Sequence, residues 1–197
     1  MDADIRPRRG APRKDEASAR DRILATASDL FYREGIRAVG VDTVVERSGV
    51  SKTSLYRLFE SKDALIAAVT ADQSRRFWEW WDTLETRHPD DPRALLATML
   101  GNIARRIAHP AYRGCPFLNL MTEFPDEAHP GRIVARATKM EMRRRLTILV
   151  DRIGVAQAAR TAGQIALIID GAYARGPWSD PEDMRADLCD AVAKLLA

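Results

Sequence analysis

The 197-residue sequence is poor in the residues that build disulfide frameworks and metal centres. Its two cysteines, Cys115 and Cys189, lie far apart without C-x-x-C spacing, so we expect reduced thiols rather than a disulfide or a zinc site. The three histidines, His88, His109 and His129, lie in or beside proline-containing loops and have no metal or triad spacing. A phosphate-cradling glycine loop is also lacking. We therefore expect no metal, no cofactor and no enzymatic activity.

Long apolar runs are missing as well. The most apolar stretch, around residues 165–169, ends at Asp170 and is much shorter than the roughly 20 residues that span a bilayer. Residues 1–14 mix charges with proline and glycine and have no apolar region typical of a secretory signal. We expect a cytoplasmic protein without a membrane segment. A content of 46% apolar and 30% charged residues is typical of a globular protein.

Alternation of apolar and polar residues with period two is not sustained anywhere, whereas spacings of three and four recur. The sequence therefore predicts an all-α fold of about nine helices. The helical patterns cover approximately residues 17–34, 41–48, 52–59, 62–87, 93–108, 127 or 132 to 153, 155–175 and 181–196.

Residues 41–59 have the pattern of a helix-turn-helix. Counting from Val41, Gly49 falls at the ninth position, where the turn needs a residue that tolerates positive φ. Ser51 can cap the second helix through its hydroxyl. The four apolar positions that hold the two helices at their crossing angle are Val44, Val50, Leu55 and Leu58. The alternative is an ordinary pair of short helices in a helical bundle.

The second helix of this motif presents cations and hydroxyls without a carboxylate, which suits a helix that enters the DNA major groove. We expect Lys52, Thr53 and Tyr56 to contact bases, and Thr43 and Lys62 to contact phosphates. The alternative interpretation of Tyr56 is a partly buried core aromatic, and the alternative interpretation of Lys62 is a solvated surface charge. The complete set of expected contacts in this region is Thr43, Ser51, Lys52, Thr53, Ser54, Tyr56, Arg57 and Lys62.

Net charge is only +3, but the positive excess is concentrated near the N-terminus. Residues 1–14 form a basic arm that we expect to be flexible and to reach phosphates. The arm residues expected to contact DNA are Arg8, Arg9, Arg13 and Lys14.

The run GVSKTSLYRLFESKDAL at residues 49–65 resembles the signature of the TetR family of bacterial regulators, and FYREG at residues 31–35 fits as well. The resemblance implies a three-helix DNA-binding domain, placed at residues 15–62, and a helical ligand-binding and dimerisation domain at residues 63–197. It also implies a sequence-specific transcriptional regulator that is released from DNA by a small molecule. The run RGCPFLN at residues 113–119, followed by EFPD at residues 123–126, resembles a stretch in a subset of the family.

Two alternatives concern what binding accomplishes. A nucleoid or division factor of the same fold would bind DNA without promoter control. A repressor and an activator differ in where the DNA site lies relative to a promoter, which the sequence of the protein does not contain. The expectation of repression therefore rests on the family resemblance.

Specific binding generally needs two half-sites, so we expect a homodimer on a two-fold symmetric operator in double-stranded DNA. The expected dimer face lies on the last two helices. The alternative is that both helices bury these residues inside their own subunit. The face comprises Ala158, Thr161, Ala162, Ile165, Ile168, Ile169, Ala172, Leu188, Val192 and Leu195.

Large apolar side chains between the central helices predict a pocket for an unidentified, largely apolar effector, although helical spacing is equally typical of core. Effector binding would move the long helix that begins near Lys62 and change the separation of the two recognition helices. The expected ligand contacts are Phe77, Trp78, Trp81, Met99, Ile103, Phe117, Asn119, Met121, Phe124, Met140, Asp170 and Trp178.

Overall fold

The computed structural model describes residues 14–197, with side chains from residue 18. The described residues form nine α-helices and one 3₁₀ turn and contain no strand, so the all-α prediction is confirmed. The helices are α1 (Lys14–Glu34), α2 (Val41–Ser48), α3 (Lys52–Leu58), α4 (Lys62–Arg87), α5 (Pro92–Ile107), α6 (Pro116–Glu123), α7 (Pro130–Ile153), α8 (Ala158–Arg175) and α9 (Pro181–Leu195). None of these helices is long and apolar enough to cross a membrane.

Local side chains fix most of the helix starts. The Ser61 hydroxyl accepts a hydrogen bond from the backbone N–H of Ala64 at 3.0 Å, which caps α4. Asp91 caps α5 in the same way through the N–H of Ala94 at 2.8 Å. The helices α5, α6, α7 and α9 each have proline in the first turn, where a missing N–H costs nothing.

The buried residues form two apolar clusters. The N-terminal cluster joins α1, α2, α3 and the first half of α4, whereas the C-terminal cluster joins the rest of α4 with α5, α7, α8 and α9. Leu65, Ile66 and Val69 place the start of α4 in the first cluster, and Trp81 and Leu84 place its end in the second. The long α4 therefore connects the core of the helix-turn-helix region with the core of the C-terminal helices.

Helix α6 was not among the predicted helical segments. It has only eight residues, starts with Pro116 and is followed by Phe124-Pro125, so it is too short to show a helical period. Its buried residues Phe117 and Leu120, together with the preceding Cys115, belong to the N-terminal cluster. Helix α6 therefore packs between α7 and the helix-turn-helix region.

The expected dimer face requires a correction. Ala162, Ile165, Ile169 and Val192 are at most 1% exposed in the single chain, because they pack into the C-terminal cluster. Such side chains have no surface left for a partner, so the alternative of burial within the subunit holds for them. The residues corrected in this way are Thr161, Ala162, Ile165, Ile169, Ala172, Leu188 and Val192. Ala158, Ile168 and Leu195 are half-buried against the same helices.

Candidate nucleic-acid interface and ligand cavity

The turn between α2 and α3 has the geometry that the sequence predicts. Gly49 has φ 64° and ψ 22°, and its N–H donates to the carbonyl of Val45 at 3.1 Å. Ser51 caps α3 by accepting from the backbone N–H of Ser54 at 3.2 Å. Val44 and Leu55, at most 1% exposed, hold the two helices together. The recognition helix is therefore fixed by its own turn, cap and core.

The surface of α3 is open to solvent. Lys52, Thr53 and Arg57 are exposed, and Tyr56 is 44% exposed, so Tyr56 is not a core aromatic. The hydroxyl of Ser51 also donates to that of Ser54 at 2.9 Å, which occupies both groups within the cap.

Lys52 has a partner on α2 that the sequence of α3 alone does not indicate. Its Nζ lies 2.7 Å from the Asp42 carboxylate on α2, and this hydrogen-bonded contact raises the pKa of the Lys52 ammonium. Asp42 stands ten positions earlier in the sequence, so the pair follows from the crossing of α2 and α3 rather than from the pattern of either helix. The cation at the start of α3 is therefore oriented by the neighbouring helix.

The first turn of α2 offers backbone donors for an anion. Gly40 occupies the N-cap position and provides no side-chain hydrogen bond to this turn. Thr43 is half-buried in the same turn. Lys62 is half-buried, and its Nζ donates to the carbonyl of Arg37 at 3.4 Å. Burial lowers the pKa of Lys62, so this cation is not a fully solvated surface charge.

The expected contacts of the basic arm cannot be compared with this geometry. Arg8, Arg9 and Arg13 lie outside the described residues, and of Lys14 only the backbone, at the start of α1, is described.

A cavity of about 530 Å³ lies between the helix-turn-helix region and the C-terminal helices. Its volume is in the range that holds a small organic ligand. Helix α1 forms one wall, and α4, α5, α7, α8 and the start of α6 form the others. The lining residues are Ala25, Ser28, Asp29, Tyr32, Gln73, Arg76, Phe77, Trp80, Asn102, Ile103, Arg106, Cys115, Pro116, Phe117, Thr138, Lys139, Met142 and Tyr173.

Three of the expected ligand contacts, Phe77, Ile103 and Phe117, line this cavity. Trp81 and Met99 do not line it, and their side chains pack inside the C-terminal cluster. Large apolar residues at helical spacing occur on every buried face, so the sequence pattern did not separate core from cavity wall.

Further expected contacts lie on other surfaces. Met140 and Trp178 are 61% and 74% exposed, and Trp78 is half-buried beneath the Arg145 guanidinium, 4.6 Å from its ring centroid. Met121 and Phe124 pack against the N-terminal cluster. These five residues therefore do not line the cavity.

The two polar residues among the expected ligand contacts have partners within the protein. Asn119 donates to the carbonyl of Arg113 at 2.7 Å and holds the loop before α6. Asp170 forms an ion pair with Lys139, which does line the cavity. Asp170 thus lies behind the wall, as the counterion of one of its cations.

Helix α6 connects the cavity with the helix-turn-helix region. Phe117 at its first turn lines the cavity, whereas the Glu123 carboxylate at its last residue accepts the backbone N–H groups of Ile36 and Arg37 at 3.1 and 2.8 Å. The Arg37 guanidinium donates to the Glu123 carbonyl at 2.7 Å. The turn between α1 and α2 is therefore tied to the C-terminal end of α6.

A second tie lies at the other end of α6. The Tyr32 hydroxyl, on α1, donates to the carbonyl of Gly114 at 3.1 Å and accepts the N–H of Arg113 at 2.9 Å. The run at residues 113–126 thus has a structural role, because one end holds α1 and the other holds the turn that follows α1. Sequence reasoning missed the α1 residues of the cavity. The available signal was polar Ser28 and Tyr32 beside the buried face of that helix.

Comparison with known proteins supports the same architecture. A family model described as bacterial regulatory proteins, tetR family, matches residues 23–69. The crystal structure of a TetR-family transcriptional regulator from Streptomyces coelicolor is similar with a TM-score of 0.86 and 30% identity, covering 91% of this chain and 95% of that one. The chain belongs to the TetR family of bacterial transcriptional regulators. TetR-family members are regulators rather than enzymes, so the prediction that this chain is not an enzyme is confirmed.

Two further similarities are to proteins that match over a shorter stretch or at lower identity. An uncharacterized HTH-type transcriptional regulator from Mycobacterium tuberculosis is 36% identical over 64 residues, which are 32% of this chain and 31% of that protein. The match therefore spans about a third of that relative's length. A putative transcriptional regulator from Saccharomonospora viridis, solved in complex with choline, has a TM-score of 0.74 at 18% identity and covers 90% of this chain and 96% of that one. At that identity the likeness shows the fold alone.

Proposed function

We propose that this TetR-family regulator is a homodimeric repressor that leaves a two-fold symmetric operator when a small molecule binds in the 530 Å³ cavity. One observation carries the proposal. The cavity lies between α1 of the helix-turn-helix region and the C-terminal helices, so a ligand there contacts both. A ligand that fits one arrangement of these parts better than another shifts the population towards that arrangement.

On the DNA side, we assign base contacts to Lys52, Thr53 and Tyr56, which share the exposed surface of α3. The uncapped first turn of α2 and the Lys62 ammonium suit phosphates on either side of the groove. Two such surfaces about 34–36 Å apart engage successive major grooves. Repression follows where the operator overlaps a promoter.

For the dimer, the outward face of α8 replaces the buried face that the sequence suggested. Leu167 is 73% exposed, and Gln164, Gly171 and Ala174 continue the same face at spacings of three and four. Trp178, 74% exposed, extends it beyond the end of the helix. Small residues around two large apolar ones allow a second copy of α8 to approach closely.

For the switch, we assign the coupling to α6 as well as to α4. Displacement of Phe117 by a ligand moves a helix of only eight residues, whose far end holds the N–H groups of Ile36 and Arg37. The turn that carries α2 then shifts, and with it the orientation of α3.

Selection of duplexes from a random pool tests the DNA assignment. We expect a two-fold symmetric consensus, and binding that weakens steeply with salt. Lys52→Ala should lower affinity for the consensus about ten- to a hundredfold with little effect on random DNA. Lys194→Ala, an exposed lysine on α9, is the matched control. Failure to bind any duplex at low ionic strength would refute the proposal.

Replacing the arm cations Arg8, Arg9 and Arg13 by glutamine gives a second DNA test. Because phosphate contacts carry no sequence information, we expect similar losses on consensus and random DNA, with a shallower salt dependence. A loss confined to the consensus would move these residues from phosphate contact to base reading.

Sedimentation equilibrium tests the dimer face. Leu167→Glu places a charge in the centre of the proposed contact and should produce monomers at micromolar concentration. Ile133→Glu, on the first turns of α7 and 55% exposed in the wild type, is the control and should remain dimeric. A monomeric wild type, or a dimeric Leu167→Glu variant, would show that α8 is not the contact.

Hydrogen exchange tests the coupling. Glu123→Ala removes the acceptor of two backbone N–H groups, so we expect faster exchange at Ile36 and Arg37 and altered DNA affinity in an intact dimer. Glu127→Ala, an exposed carboxylate in the loop after α6, is the control. Unchanged exchange and unchanged DNA affinity would remove α6 from the switch.

A further inference from the structure

The wall of the cavity carries an excess of positive charge. Among the residues whose side chains are described, three cations, Arg76, Arg106 and Lys139, line it, against the single acid Asp29. Asp29 is engaged by Arg33 on its own helix at 2.7 Å. The one negative charge of the wall is therefore already compensated from outside the cavity.

The three cations differ in their partners. Lys139 is neutralised by Asp170, and Arg76 lies 2.9 Å from Asp72, which also receives Arg75. The exposed side chain of Arg106 forms no ion pair or hydrogen bond with any residue of the described part of the chain. The Arg106 guanidinium therefore has its full set of donors available to a ligand.

Tyr173 adds a neutral donor to the same region. Burial raises the pKa of its hydroxyl, while the positive charge of Arg106 acts on that pKa in the opposite direction. Both groups line the same cavity, and the hydroxyl stays protonated at neutral pH. Within residues 18–197 it makes no hydrogen bond. The neighbouring Tyr112 hydroxyl, in contrast, is occupied by the Tyr173 carbonyl at 2.9 Å.

The remaining wall is aromatic and apolar. Phe77 lies at the centre, with its ring centroid 5.5 Å from that of Trp80 and 6.4 Å from that of Phe117. Ile103 and Met142 complete this side. A flat, apolar body therefore fits against Phe77 while a polar end reaches Arg106.

We propose that the cavity binds an organic anion, with a carboxylate or similar acidic group held by Arg106 and Tyr173 and an aromatic or alkyl body packed on Phe77, Trp80 and Phe117. The ligand class refines the proposed function, since it specifies which effectors the repressor responds to. The expectation of a largely apolar effector is retained for the body of the ligand, and the charged end is new.

Two probes that differ only by an anionic sulfonate group test the inference. The anionic probe is 8-anilinonaphthalene-1-sulfonate and the neutral one is N-phenyl-1-naphthylamine, which lacks the sulfonate. Fluorescence titration of the full chain should show one anionic probe per chain, bound at least tenfold more tightly than the neutral probe. Arg106→Gln should abolish this preference and leave the affinity of the neutral probe unchanged. Arg136→Gln, an exposed arginine on α7 outside the cavity, is the matched control and should retain the preference.

Choline supplies the opposite charge, as the ligand of the related Saccharomonospora viridis structure. We expect no displacement of the anionic probe by choline. Displacement by choline, equal affinity for the two naphthalene probes, or an unchanged preference in Arg106→Gln would each overturn the anion site.

Operator binding, measured in the same samples, keeps this inference separate from the proposed function. If the anionic probe binds through Arg106 and DNA affinity does not change, the anion site stands and effector control by this cavity fails. If choline or the neutral probe releases DNA while the anionic probe does not, effector control stands and the anion site fails.

Discussion

The helix-turn-helix region and the C-terminal helices differ in what holds their functional residues in place. In the first, Gly49 and Ser51 set the path of the chain by local geometry, and the surface of α3 follows from it. In the second, each helix is amphipathic, but its buried face could be covered by several neighbours. Residues close together in the sequence determine the proposed DNA surface, whereas the cavity and the proposed dimer face depend on which helices meet.

The same contrast corresponds to what each region needs for its proposed role. A recognition helix needs one rigid surface. The cap of α3, the turn that precedes it and the side chains that pack against it all come from residues close to it in sequence. A ligand cavity needs space between several elements, and this one collects residues from α1 to α8.

The largest effect that separates the two regions concerns Ile165. Because its side chain is fully buried in the C-terminal cluster, Ile165→Ala should lower the free energy of unfolding by about 2–5 kcal/mol without dissociating the dimer. Ile133→Ala, on α7 outside the proposed dimer face and 55% exposed, should cost far less. Urea unfolding and sedimentation of both variants measure the two properties. Dissociation of Ile165→Ala without loss of subunit stability would restore the original dimer face.

Two glycine-to-alanine substitutions, each of which adds one carbon atom, compare the backbone of the two regions. Neither Gly49 nor Gly101 has a heavy atom within 4 Å of an added Cβ, but Gly49 has φ 64° and Gly101 lies inside α5. Gly49→Ala should therefore lower the free energy of unfolding by about 1–2 kcal/mol through backbone strain. Gly101→Ala should raise it by about 0.5–1 kcal/mol. Thermal unfolding measures both, and a change of the same sign in the two variants would contradict the assignment of the turn.

The helix-turn-helix could be predicted from sequence because its determinants are close along the chain. The positions of Gly49, Val44 and Leu55 suffice to specify a turn and a crossing, and Ser51 and Ser61 mark two helix starts. These signals act through backbone geometry, so no distant partner has to be known.

The rest could not be predicted for physical reasons that differ by element. The pattern of Ile165 and Ile169 correctly indicated a buried face, but burial by α7 and α9 and burial by a second subunit leave the same pattern. Helix α6 is too short for periodicity. In the sequence Arg106 and Glu123 resemble ordinary surface charges, because the cavity that Arg106 lines and the N–H groups that Glu123 accepts belong to residues far away along the chain.

Asp42 gives a smaller effect, on binding rather than stability. Asp42→Asn releases Lys52 from its ion pair and removes a negative charge beside the DNA surface, so we expect affinity for the consensus duplex to rise about two- to fivefold. Glu46→Gln, an exposed carboxylate on the same helix, separates the specific pairing from the general change of charge. Weaker binding by Asp42→Asn would show instead that Asp42 positions Lys52 for base reading.

The smallest effect belongs to Glu141 on α7, whose pKa is lowered to about 2 mainly by the hydrogen bond from Arg144, with a further one from Arg145. Its folded pKa lies below the unfolded value, so the contribution to stability is present above about pH 4.5 and is lost as pH falls towards 2. Because the side chain is one-third exposed, Glu141→Gln should cost only about 0.2–1 kcal/mol at pH 7. Urea unfolding between pH 3 and pH 7 should show this difference shrinking below pH 4.5. A difference that stays constant over that range would mean that packing of the Glu141 side chain, rather than its charge, stabilises the contact with Arg144 and Arg145.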